Sequence, residues 1–537
     1  MAPSSSSEPS SPLSPSSSSS SSWTSFSTPS SPMSPSPPPL SSSESSSPMS
    51  PLSANNHNDS SNYIIYHPDK LTLYDIFKML VLQTSLGGCE SVDEFVECPS
   101  NFDRKQLNAT RFNVLVWMLQ KVMIRIRKPL KLVGSLVEFT LNLVSINGGL
   151  LRLVSNIFSW SVEIPNKDTA DFQSAIAFVD GRKDLYKASS LHRSHPAAEV
   201  LDMDDINKIN TEDLCIMAAK VAYENREYVH NVVTQQWKMH FEEFYGFHNR
   251  DDILKESDTQ AFIFCDRPEK ARLIVVAFRG TEIANGTDWL TDLDISWISV
   301  GEEIGRVHVG FMRALGLQGK GCRIRPKVYK GKKPLAYYTI RERLETLLKQ
   351  NENAKILVTG HSLGGALAIL FVAGLVYHKE DALLNNLWRV YTFGQPRVGD
   401  DNFGRFMDAK LNGDQKRYFR VVYGYDIVPR LPFSRPITEF VHFGECLYYS
   451  SWYKAQVLKE EPNENYCSPW FFIPMHFNAW LDLVRAIFVG IKEGKSFEES
   501  PLSLCLRALG LLIPGLSSHS PRDYINGARL RVNELPN

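Results

Sequence analysis

The sequence lacks several features that would place it in well-known classes of protein. No Lys or Arg occurs before Lys70, and no basic segment followed by an apolar stretch opens the chain, so we expect no secretory signal. The eight cysteines include no Cys-x-x-Cys pair and no histidine at metal-ligand spacing, which predicts mostly reduced thiols rather than a zinc site or a disulfide framework. The formal net charge of -1 gives no overall attraction to nucleic acid, so no nucleic-acid partner is predicted.

The first 62 residues have few apolar side chains and consist mainly of Ser and Pro. Such a segment buries too little surface to offset the entropy that it would lose on ordering, so we predict a disordered tail over residues 1–62. In the whole sequence, apolar residues make up 43% and charged residues 22%, which is typical of a globular protein with a large core.

Two nearly continuous apolar runs follow, over residues 112–126 and 132–151, with a basic link around Pro129 between them. The second run just reaches the length of a membrane span, but Glu138 and several polar residues weaken that interpretation. A helical hairpin that dips into one leaflet, or a pair of interfacial helices, fits the pattern better. The alternative is a helical subdomain packed on the rest of the chain. We predict that a helical region over 63–203 associates with a membrane or lipid-droplet surface.

From residue 204 onward, helical and strand-like stretches alternate along the chain. The strand-like stretches are 261–265, 273–278, 356–358, 388–392 and 418–422, and the helix-like ones are 214–228 and 340–350. This alternation predicts a mainly parallel sheet with helices on both faces. We predict a single α/β domain over residues 204–537.

The most informative motif is Gly360-His-Ser-Leu-Gly364, which lies between an apolar strand and an Ala- and Leu-rich helix. Glycines on both sides allow a tight, strained turn that exposes the hydroxyl of Ser362. A serine hydroxyl is a poor nucleophile at neutral pH, so it needs a histidine to accept its proton and a carboxylate to orient that histidine. The motif in this setting predicts a catalytic nucleophile rather than a structural turn.

Asp426 is the preferred carboxylate because it follows the predicted strand 418–422 and precedes two prolines that would hold it rigidly. The ends of parallel strands are where such sheets place functional residues. Weaker rivals in polar, turn-like surroundings are Asp400, Asp401 and Asp414.

Chain order restricts the histidine, because the triad of such hydrolases runs Ser, then Asp or Glu, then His. The histidines after Asp426 are His442, His476 and His519. We prefer His519, since it lies in a loop between an apolar segment and a predicted helix, where its ring can reach the serine. His442 lies in a strand-like stretch and His476 in an aromatic-rich one, so both are kept as weaker alternatives.

Stabilising a developing oxyanion requires two hydrogen-bond donors near the nucleophile. The backbone N–H of Leu363, directly after Ser362, is one candidate. The other is Thr281, because the predicted strand 273–278 runs into its loop and it offers both an N–H and a hydroxyl. A simple turn cap is the alternative role for Thr281.

Five motifs occur in order along the chain. They are Phe278-Arg-Gly-Thr281, Val307-His-Val-Gly-Phe311, Gly360-His-Ser-Leu-Gly-Gly365, Thr392-Phe-Gly-Gln-Pro-Arg-Val-Gly399 and Asp426-Ile-Val-Pro-Arg430. Over about residues 210 to 530 the chain resembles the class 3 lipases, the fungal-lipase-like family. The resemblance implies an α/β-hydrolase fold, a triad of Ser362, Asp426 and His519, and an oxyanion hole at Thr281 and Leu363. The apolar N-terminal region and the ending His519-Ser-Pro-Arg-Asp-Tyr524 are similar to the plant oil-body triacylglycerol lipases.

In similar lipases, the segment between the Thr281 loop and Val307 is a lid whose apolar face covers the site in water. Residues 288–298 place apolar side chains at helix-like intervals beside acidic ones. These candidate lid residues are Trp289, Leu290, Leu293, Trp297 and Ile298. The alternative is a connection packed in the core.

The resemblance and the apolar N-terminal region together predict a serine ester hydrolase that acts through an acyl-serine intermediate. Its predicted partners are an acylglycerol or other acyl lipid and a lipid-droplet or membrane surface that faces the cytoplasm. A phospholipase A1 or galactolipase of the same fold is the main alternative, and a non-catalytic lipid-surface scaffold is a weaker one. No cofactor and no metal is predicted.

Overall fold

A computed structural model of the chain describes most of the sequence after the first 62 residues. The described residues are 63–66, 70, 72, 74, 92–95, 111–187, 210–247, 259–280, 296–319, 323–413, 415–434, 438–466 and 468–531. The predicted tail over 1–62 lies outside them.

The strands are numbered in chain order. They are β1 (Tyr63–Tyr66), β2 (Val92–Phe95), β3 (His240–Phe247), β4 (Thr259–Cys265), β5 (Leu273–Phe278), β6 (Trp297–Gly301), β7 (Gly305–His308), β8 (Lys355–His361), β9 (Leu387–Phe393), β10 (Tyr418–Tyr423), β11 (Glu445–Tyr449) and β12 (Ala455–Leu458).

The α-helices are numbered in the same way. They are α1 (Arg111–Ile146), α2 (Leu150–Phe158), α3 (Ala175–Asp180), α4 (Thr211–Val221), α5 (Arg226–Asn231), α6 (Val309–Ala314), α7 (Ala336–Gln350), α8 (Leu363–Tyr377), α9 (Asp381–Asn386), α10 (Asp401–Leu411), α11 (Phe472–Glu493), α12 (Pro501–Leu509) and α13 (Pro521–Leu530).

Eight strands form the central sheet, in the order β12-β11-β10-β9-β8-β5-β4-β3. The five strands β5, β8, β9, β10 and β11 run parallel to their neighbours within this group. β3, β4 and β12 add antiparallel pairs at the two edges. The predicted mainly parallel sheet of an α/β-hydrolase fold is therefore confirmed. A second, smaller sheet is antiparallel and has the order β2-β1-β6-β7.

Strand β5 shows why the central strands read as continuous apolar runs. Ile274, Val276 and Phe278 face one hydrophobic core, which contains α8. The alternate residues Leu273 and Val275 face the other core, which contains α4. Side chains alternate between the two faces of a strand, so helices on both faces require apolar residues at every position.

The predicted helix 214–228 is two helices, α4 and α5, separated by a short turn. Asn225 ends this turn, and its side chain accepts a hydrogen bond from the N–H of Tyr228 at 2.8 Å. An asparagine that caps the next helix favours a break at this point over one continuous helix.

The reversal predicted at the Pro129 link is wrong, because α1 continues through Pro129 to Ile146. A proline in a helix removes one N–H donor and bends the axis, but apolar helix-forming residues on both sides can hold the helix together. The chain turns instead at Gly148 and Gly149, whose φ angles are +78° and +101°. Glycine adopts these angles at little cost, and α2 begins directly after them.

One side of α1 and α2, continuing to Trp160, is apolar and faces away from the rest of the described residues. The exposed residues include Leu132, Leu136, Leu151, Phe158 and Trp160, the last of which is 96% exposed. Residues 128–146 and 472–493 form helices long and apolar enough to cross a membrane, by length and composition alone, and only 6% of the first is buried. The alternative of an apolar region packed entirely on the core does not describe this side of α1.

The opposite side of α1 is held by polar contacts. Asn142 donates to the carbonyl of Gln173 at 2.9 Å and accepts from its N–H at 2.9 Å. Glu138 accepts from the N–H of Ala175 at 3.0 Å. These contacts fix α1 to the segment around α3.

The segment around α3 is in turn fixed to the sheet-bearing part of the chain. Glu224 accepts hydrogen bonds from the N–H and the hydroxyl of Ser174, at 2.7 and 2.5 Å. Asp180 pairs with Arg182 and with Lys220 of α4, and all three are buried. Burial raises the pKa of Glu224 to about 7, even though the two bonds from Ser174 favour its charged form.

The raised pKa of Glu224 makes the free energy of unfolding depend on pH. The folded chain holds the proton of Glu224 more tightly than the unfolded chain does. The contribution of this carboxyl to the free energy of unfolding is therefore fully present below a pH of about 4.5 and is lost as the pH rises through about 7. Relative to wild type, Glu224→Gln should gain up to about 3 kcal/mol of stability between pH 4.5 and pH 8. Urea unfolding across this range measures the difference.

Glu227→Gln is the matched control, because Glu227 lies three residues away and is exposed. Its stability should follow that of wild type across the same pH range. A Glu224→Gln curve that also runs parallel to wild type would contradict the prediction.

Candidate active site

The turn that carries Ser362 joins the end of β8 to the start of α8. Ser362 has φ +59° and ψ -133°, a backbone conformation that residues other than glycine rarely adopt. A Cβ atom on Gly360 would lie 2.1 Å from the carbonyl oxygen of Gly364, and one on Gly364 would lie 2.3 Å from that of Phe278. Only glycine fits at both positions, so the two glycines of the motif permit the close packing that this turn requires.

Asp426 lies in the loop that follows β10 and is fully buried. Its Oδ1 accepts a hydrogen bond from the N–H of Val428 at 2.9 Å. The guanidinium of Arg430 donates to the carbonyl oxygen of Asp426 and, at 2.9 Å, to that of Asn463. The carboxylate is therefore held by its own loop.

His519 joins the serine to this carboxylate. It ends the 3-10 turn Ser517–His519. Its Nδ1 lies 2.7 Å from Oδ2 of Asp426, and its Nε2 lies 2.8 Å from Oγ of Ser362. The structure thus brings together three residues that lie up to 157 positions apart in the chain.

This arrangement suits nucleophilic catalysis. An Nδ1–H that donates to Asp426 leaves Nε2 of His519 free to accept the hydroxyl proton of Ser362. A serine oxygen that loses its proton in this way can attack an acyl carbon. The catalytic role of the three residues stays a prediction that rests on this geometry.

The two alternative histidines lie elsewhere. Nε2 of His442 contacts the carbonyl oxygen of Pro429 at 2.6 Å, and Nδ1 of His476 contacts that of Phe472 at 2.9 Å. Neither is hydrogen-bonded to Ser362 in the described structure. Both rings bind backbone carbonyl oxygens instead.

The rival carboxylates have other positions. Asp400 caps α10 and accepts from the N–H of Phe403 at 2.9 Å. Asp401 is exposed in the first turn of the same helix, and Asp414 lies outside the described residues. Asp426 is the carboxylate that contacts His519.

One of the two predicted oxyanion donors can be placed. Leu363 is the first residue of α8, where backbone N–H groups have no acceptor within the helix. Its N–H follows Ser362 directly, which is the position expected for an oxyanion donor. Thr281 lies outside the described residues.

The predicted lid is only partly described. Trp289, Leu290 and Leu293 lie outside the described residues. Trp297 and Ile298 begin strand β6, so these two residues do not belong to an amphipathic helix. Their backbones pair with β1 and β7, and Ile298 is fully buried in the core. Backbone pairing on both sides of the strand outweighs the helix-like spacing of the apolar residues.

Tyr524 also belongs to the candidate site, although the sequence analysis did not single it out. It is fully buried in α13, and its hydroxyl donates to Oδ2 of Asp426. Burial, together with the nearby carboxylate of Asp426, raises the pKa of Tyr524 well above its usual value, so the hydroxyl keeps its proton. Its presence in the motif His519-Ser-Pro-Arg-Asp-Tyr524 was the available signal.

Gly394 makes room for this group of residues. It has φ +58° at the end of β9. A Cβ atom there would lie 2.9 Å from Oδ2 of Asp426, 2.9 Å from the hydroxyl of Tyr524 and 3.0 Å from Cε1 of His519. Its place in the Thr392 to Gly399 motif gave no indication of this role.

His361 lies beside His519, with the two rings 4.6 Å apart. Its Nδ1 contacts the hydroxyl of Tyr223 at 2.8 Å. Burial, and then the charge of His519, hold the pKa of His361 well below its usual value. A neutral His361 does not repel the imidazolium that forms when His519 accepts a proton.

Comparison with known proteins gives a consistent pattern. Residues 275–435 match the family model for lipase (class 3). The chain is 41% identical over 471 residues to triacylglycerol lipase OBL1 of Nicotiana tabacum, a match that covers 77% of this chain and 82% of the relative. It is 38% identical over 514 residues to triacylglycerol lipase OBL1 of Arabidopsis thaliana, with 90% of this chain and 97% of the relative covered.

Among solved structures, the chain is similar to the triacylglyceride lipase of Rhizomucor miehei. The sequence identity is 25% and the TM-score is 0.34. The match covers 46% of this chain and 80% of the fungal one.

The hydrogen bond from Tyr524 to Asp426 should affect the reactivity of Ser362. Tyr524→Phe removes a donor to a buried carboxylate, and hydrogen bonds to charged groups contribute about 1.5 to 3 kcal/mol. Without this bond, Asp426 orients His519 less firmly. The rate at which a fluorophosphonate probe labels Ser362 should therefore fall about tenfold. The rate is measured by gel fluorescence over time.

Tyr418→Phe is the matched control. Tyr418 is also a buried tyrosine, but its hydroxyl donates to Gln395 at 2.9 Å and not to Asp426. Its labelling rate should stay within about twofold of wild type. Equal rates for Tyr524→Phe and wild type would show that the contact does not position the triad.

Proposed function

Since the chain belongs to the class 3 lipase family and is a lipase, we propose that its substrate is triacylglycerol and that it acts at a lipid-droplet surface facing the cytoplasm. The observation that carries the hydrolytic chemistry is the hydrogen-bonded line from Ser362 through His519 to Asp426. The relatives named triacylglycerol lipase, which are 37 to 41% identical over most of the chain, support the choice of substrate.

The proposed reaction begins at Ser362. Its oxygen attacks the ester carbonyl carbon while His519 takes the hydroxyl proton at Nε2, and Asp426 stabilises the imidazolium. The N–H of Leu363 donates to the oxyanion of the tetrahedral intermediate, and Thr281 is the second proposed donor. His519 then protonates the departing glyceride alcohol, which leaves an acyl group on Ser362.

The second half of the reaction releases the fatty acid. Water gives a proton to His519 and attacks the acyl carbon, and the serine oxygen leaves with that proton. Asp426 keeps the imidazole oriented through both halves, with help from Tyr524 and Val428. The chemistry needs no group beyond these residues and water.

The proposed place of action rests on the apolar side of α1 and α2. Exposed Leu, Val, Phe and Trp side chains would be solvated by lipid rather than by water on a droplet. We assign this role to the helical region 63–203 and the reaction to the α/β domain 204–537. The contacts of Ser174 with Glu224 and of Asp180 with Lys220 tie the first to the second.

Loss of the nucleophile tests the proposed reaction. Ser362→Ala should lower fatty acid release from emulsified triacylglycerol by about 10³-fold or more, because no other residue replaces the serine oxygen. Release of free fatty acid and glycerol is measured by titration and chromatography. Full activity of the Ser362→Ala variant would contradict the proposed reaction.

A substrate panel decides between triacylglycerol and the alternatives. Wild type is assayed beside Ser362→Ala on triacylglycerol, phosphatidylcholine and monogalactosyl diacylglycerol at equal interfacial area. We expect the highest Ser362-dependent rate on triacylglycerol. A higher rate on either polar lipid would identify a phospholipase or galactolipase instead.

The apolar side of α1 and α2 should be required for lipid-droplet targeting. A triple variant, Leu132→Ser, Leu136→Ser and Leu151→Ser, removes exposed apolar side chains and leaves the polar contacts of α1 unchanged. Each buried side chain of this size contributes about 1.5 to 3 kcal/mol, so the droplet-bound fraction of a fluorescent fusion should fall at least tenfold. Thr140→Ser, at an exposed polar site of α1, is the control.

A further inference from the structure

Helices α11 and α12, near the C-terminal end of the described chain, also expose an apolar surface. The exposed side chains of α11 include Phe472, Ile473, Phe477, Trp480, Phe488 and Ile491. On α12, Leu506 and Leu509 are exposed. We call this surface, formed by the outer sides of α11 and α12, the C-terminal apolar face. Apolar side chains that are grouped in this way on a protein surface often mark an interaction site.

Apart from Lys492 and Glu493, which are exposed at the C-terminal end of α11, the charged residues of the two helices point into the domain. Segments 470–491 and 501–516 contain three charged residues, which are Asp482, Arg485 and Arg507. All three are buried. A helix on the surface of a water-soluble domain has its charges outside and its apolar residues inside, so α11 and α12 have the opposite arrangement.

Each inward charge has at least one ion-pair partner. Arg485 donates to Asp523 at 3.0 Å and lies 3.2 Å from Asp482. Arg507 donates to Glu499 at 2.7 Å and to Asp523 at 2.8 Å. Buried charges are retained where every one has a partner, so this cluster fixes α11 and α12 to the catalytic domain.

The same cluster is connected to the candidate active site. Asp523 lies on α13 directly before Tyr524, whose hydroxyl donates to Asp426. On α11, Asp482 accepts from the hydroxyl of Tyr423 at 2.7 Å, and Tyr423 ends β10 just before the Asp426 loop. The C-terminal apolar face therefore has a fixed position relative to the triad.

The segment between α12 and His519 continues the apolar surface toward the site. Leu512, Ile513 and Leu516 are exposed in this segment. The carbonyl oxygen of Gly515 accepts from the N–H of Ile427, which follows Asp426. A lipid in contact with this segment lies close to the loop that carries the carboxylate.

The face also adjoins the N-terminal lipid-binding region. Ser500, which caps α12, donates to the carbonyl oxygen of Val179 in α3 at 2.9 Å. The segment around α3 is the one that holds α1, through Ala175 and Glu138. The two apolar surfaces are thus joined through α3.

We propose that the C-terminal apolar face is a second lipid-docking surface, which lies on a neutral lipid surface and orients the active site toward it. This inference rests on the proposed function, because it takes the droplet as the source of substrate. A lipid occupant is favoured because the exposed positions of residues 470–491 carry no charged group and because the face is joined through α3 to the apolar side of α1, which is proposed to lie on lipid. Trp480 and Phe477 are residue types that insert at lipid interfaces.

The geometry favours a helix that lies on the surface rather than one that spans it. α11 is about 33 Å long, which is sufficient to cross a bilayer. However, Asp482 and Arg485 are bonded to Tyr423 and Asp523, which belong to the sheet and to α13. A spanning helix would separate these charges from their partners within hydrocarbon, at high cost.

Flotation with artificial droplets of triolein coated with phosphatidylcholine tests the proposal. All proteins carry Ser362→Ala, so that the surface is not consumed during the measurement. Adding Ile473→Ser, Phe477→Ser and Trp480→Ser should weaken droplet binding at least about tenfold, because three inserted side chains are lost. The conservative set Ile473→Leu, Phe477→Leu and Trp480→Phe should bind like the parent, and Val328→Ser controls for an exposed apolar residue outside the face.

Far-UV circular dichroism and thermal unfolding confirm that each variant is folded. Unchanged droplet binding by the serine variant would overturn the proposal. The proposal would also be overturned if, without lipid, the parent were a dimer and the serine variant a monomer. The occupant of the face would then be a second copy of the chain. Failure of the proposed function would give a different result. Wild type would then bind droplets through the face but release no fatty acid from them.

Discussion

The candidate active site depends on the buried carboxylate of Asp426. It accepts hydrogen bonds from His519, from the hydroxyl of Tyr524 and from the N–H of Val428. A carboxylate without solvent is costly unless its oxygens are satisfied, and here one donor comes from its own loop and two come from the distant segment 519–524. The requirement to satisfy this one group brings the end of β10, the turn before α13 and α13 itself together. The strained turn then places the hydroxyl of Ser362 beside the imidazole of His519.

The strained turn and the crowded triad explain the glycines around them. Gly360 and Gly364 let β8 and α8 approach closely, and Gly394 leaves space for Asp426, Tyr524 and His519. Backbone strain at Ser362 is offset by the packing of β8 and α8 in the large core.

A second principle of the structure is the separation of charge from the outer surface of α11 and α12. Three guanidinium groups, of Arg485, Arg507 and Arg522, meet the carboxyl groups of Asp482, Glu499 and Asp523 inside the domain. Because these charges are paired internally, the outer side is apolar up to Lys492 and Glu493 at the end of α11. The same cluster holds α13, and α13 carries Tyr524. A surface suited to lipid and the orientation of the carboxylate therefore share one set of buried interactions.

Local patterns in the sequence determined the parts of this protein that depend on neighbouring residues. The alternation of helix-like stretches with the strand-like stretches of β4, β5, β8, β9 and β10 predicted a mainly parallel sheet. The Gly360 to Gly364 motif identified Ser362, and chain order with loop context selected Asp426 and His519. Contacts between distant residues decided the rest, because sequence periodicity carries no record of them. Pairing with β1 and β7 made Trp297 and Ile298 a strand, glycines after Ile146 rather than Pro129 turned the chain, and only the folded arrangement placed Tyr524 on Asp426 and turned the charges of α11 inward.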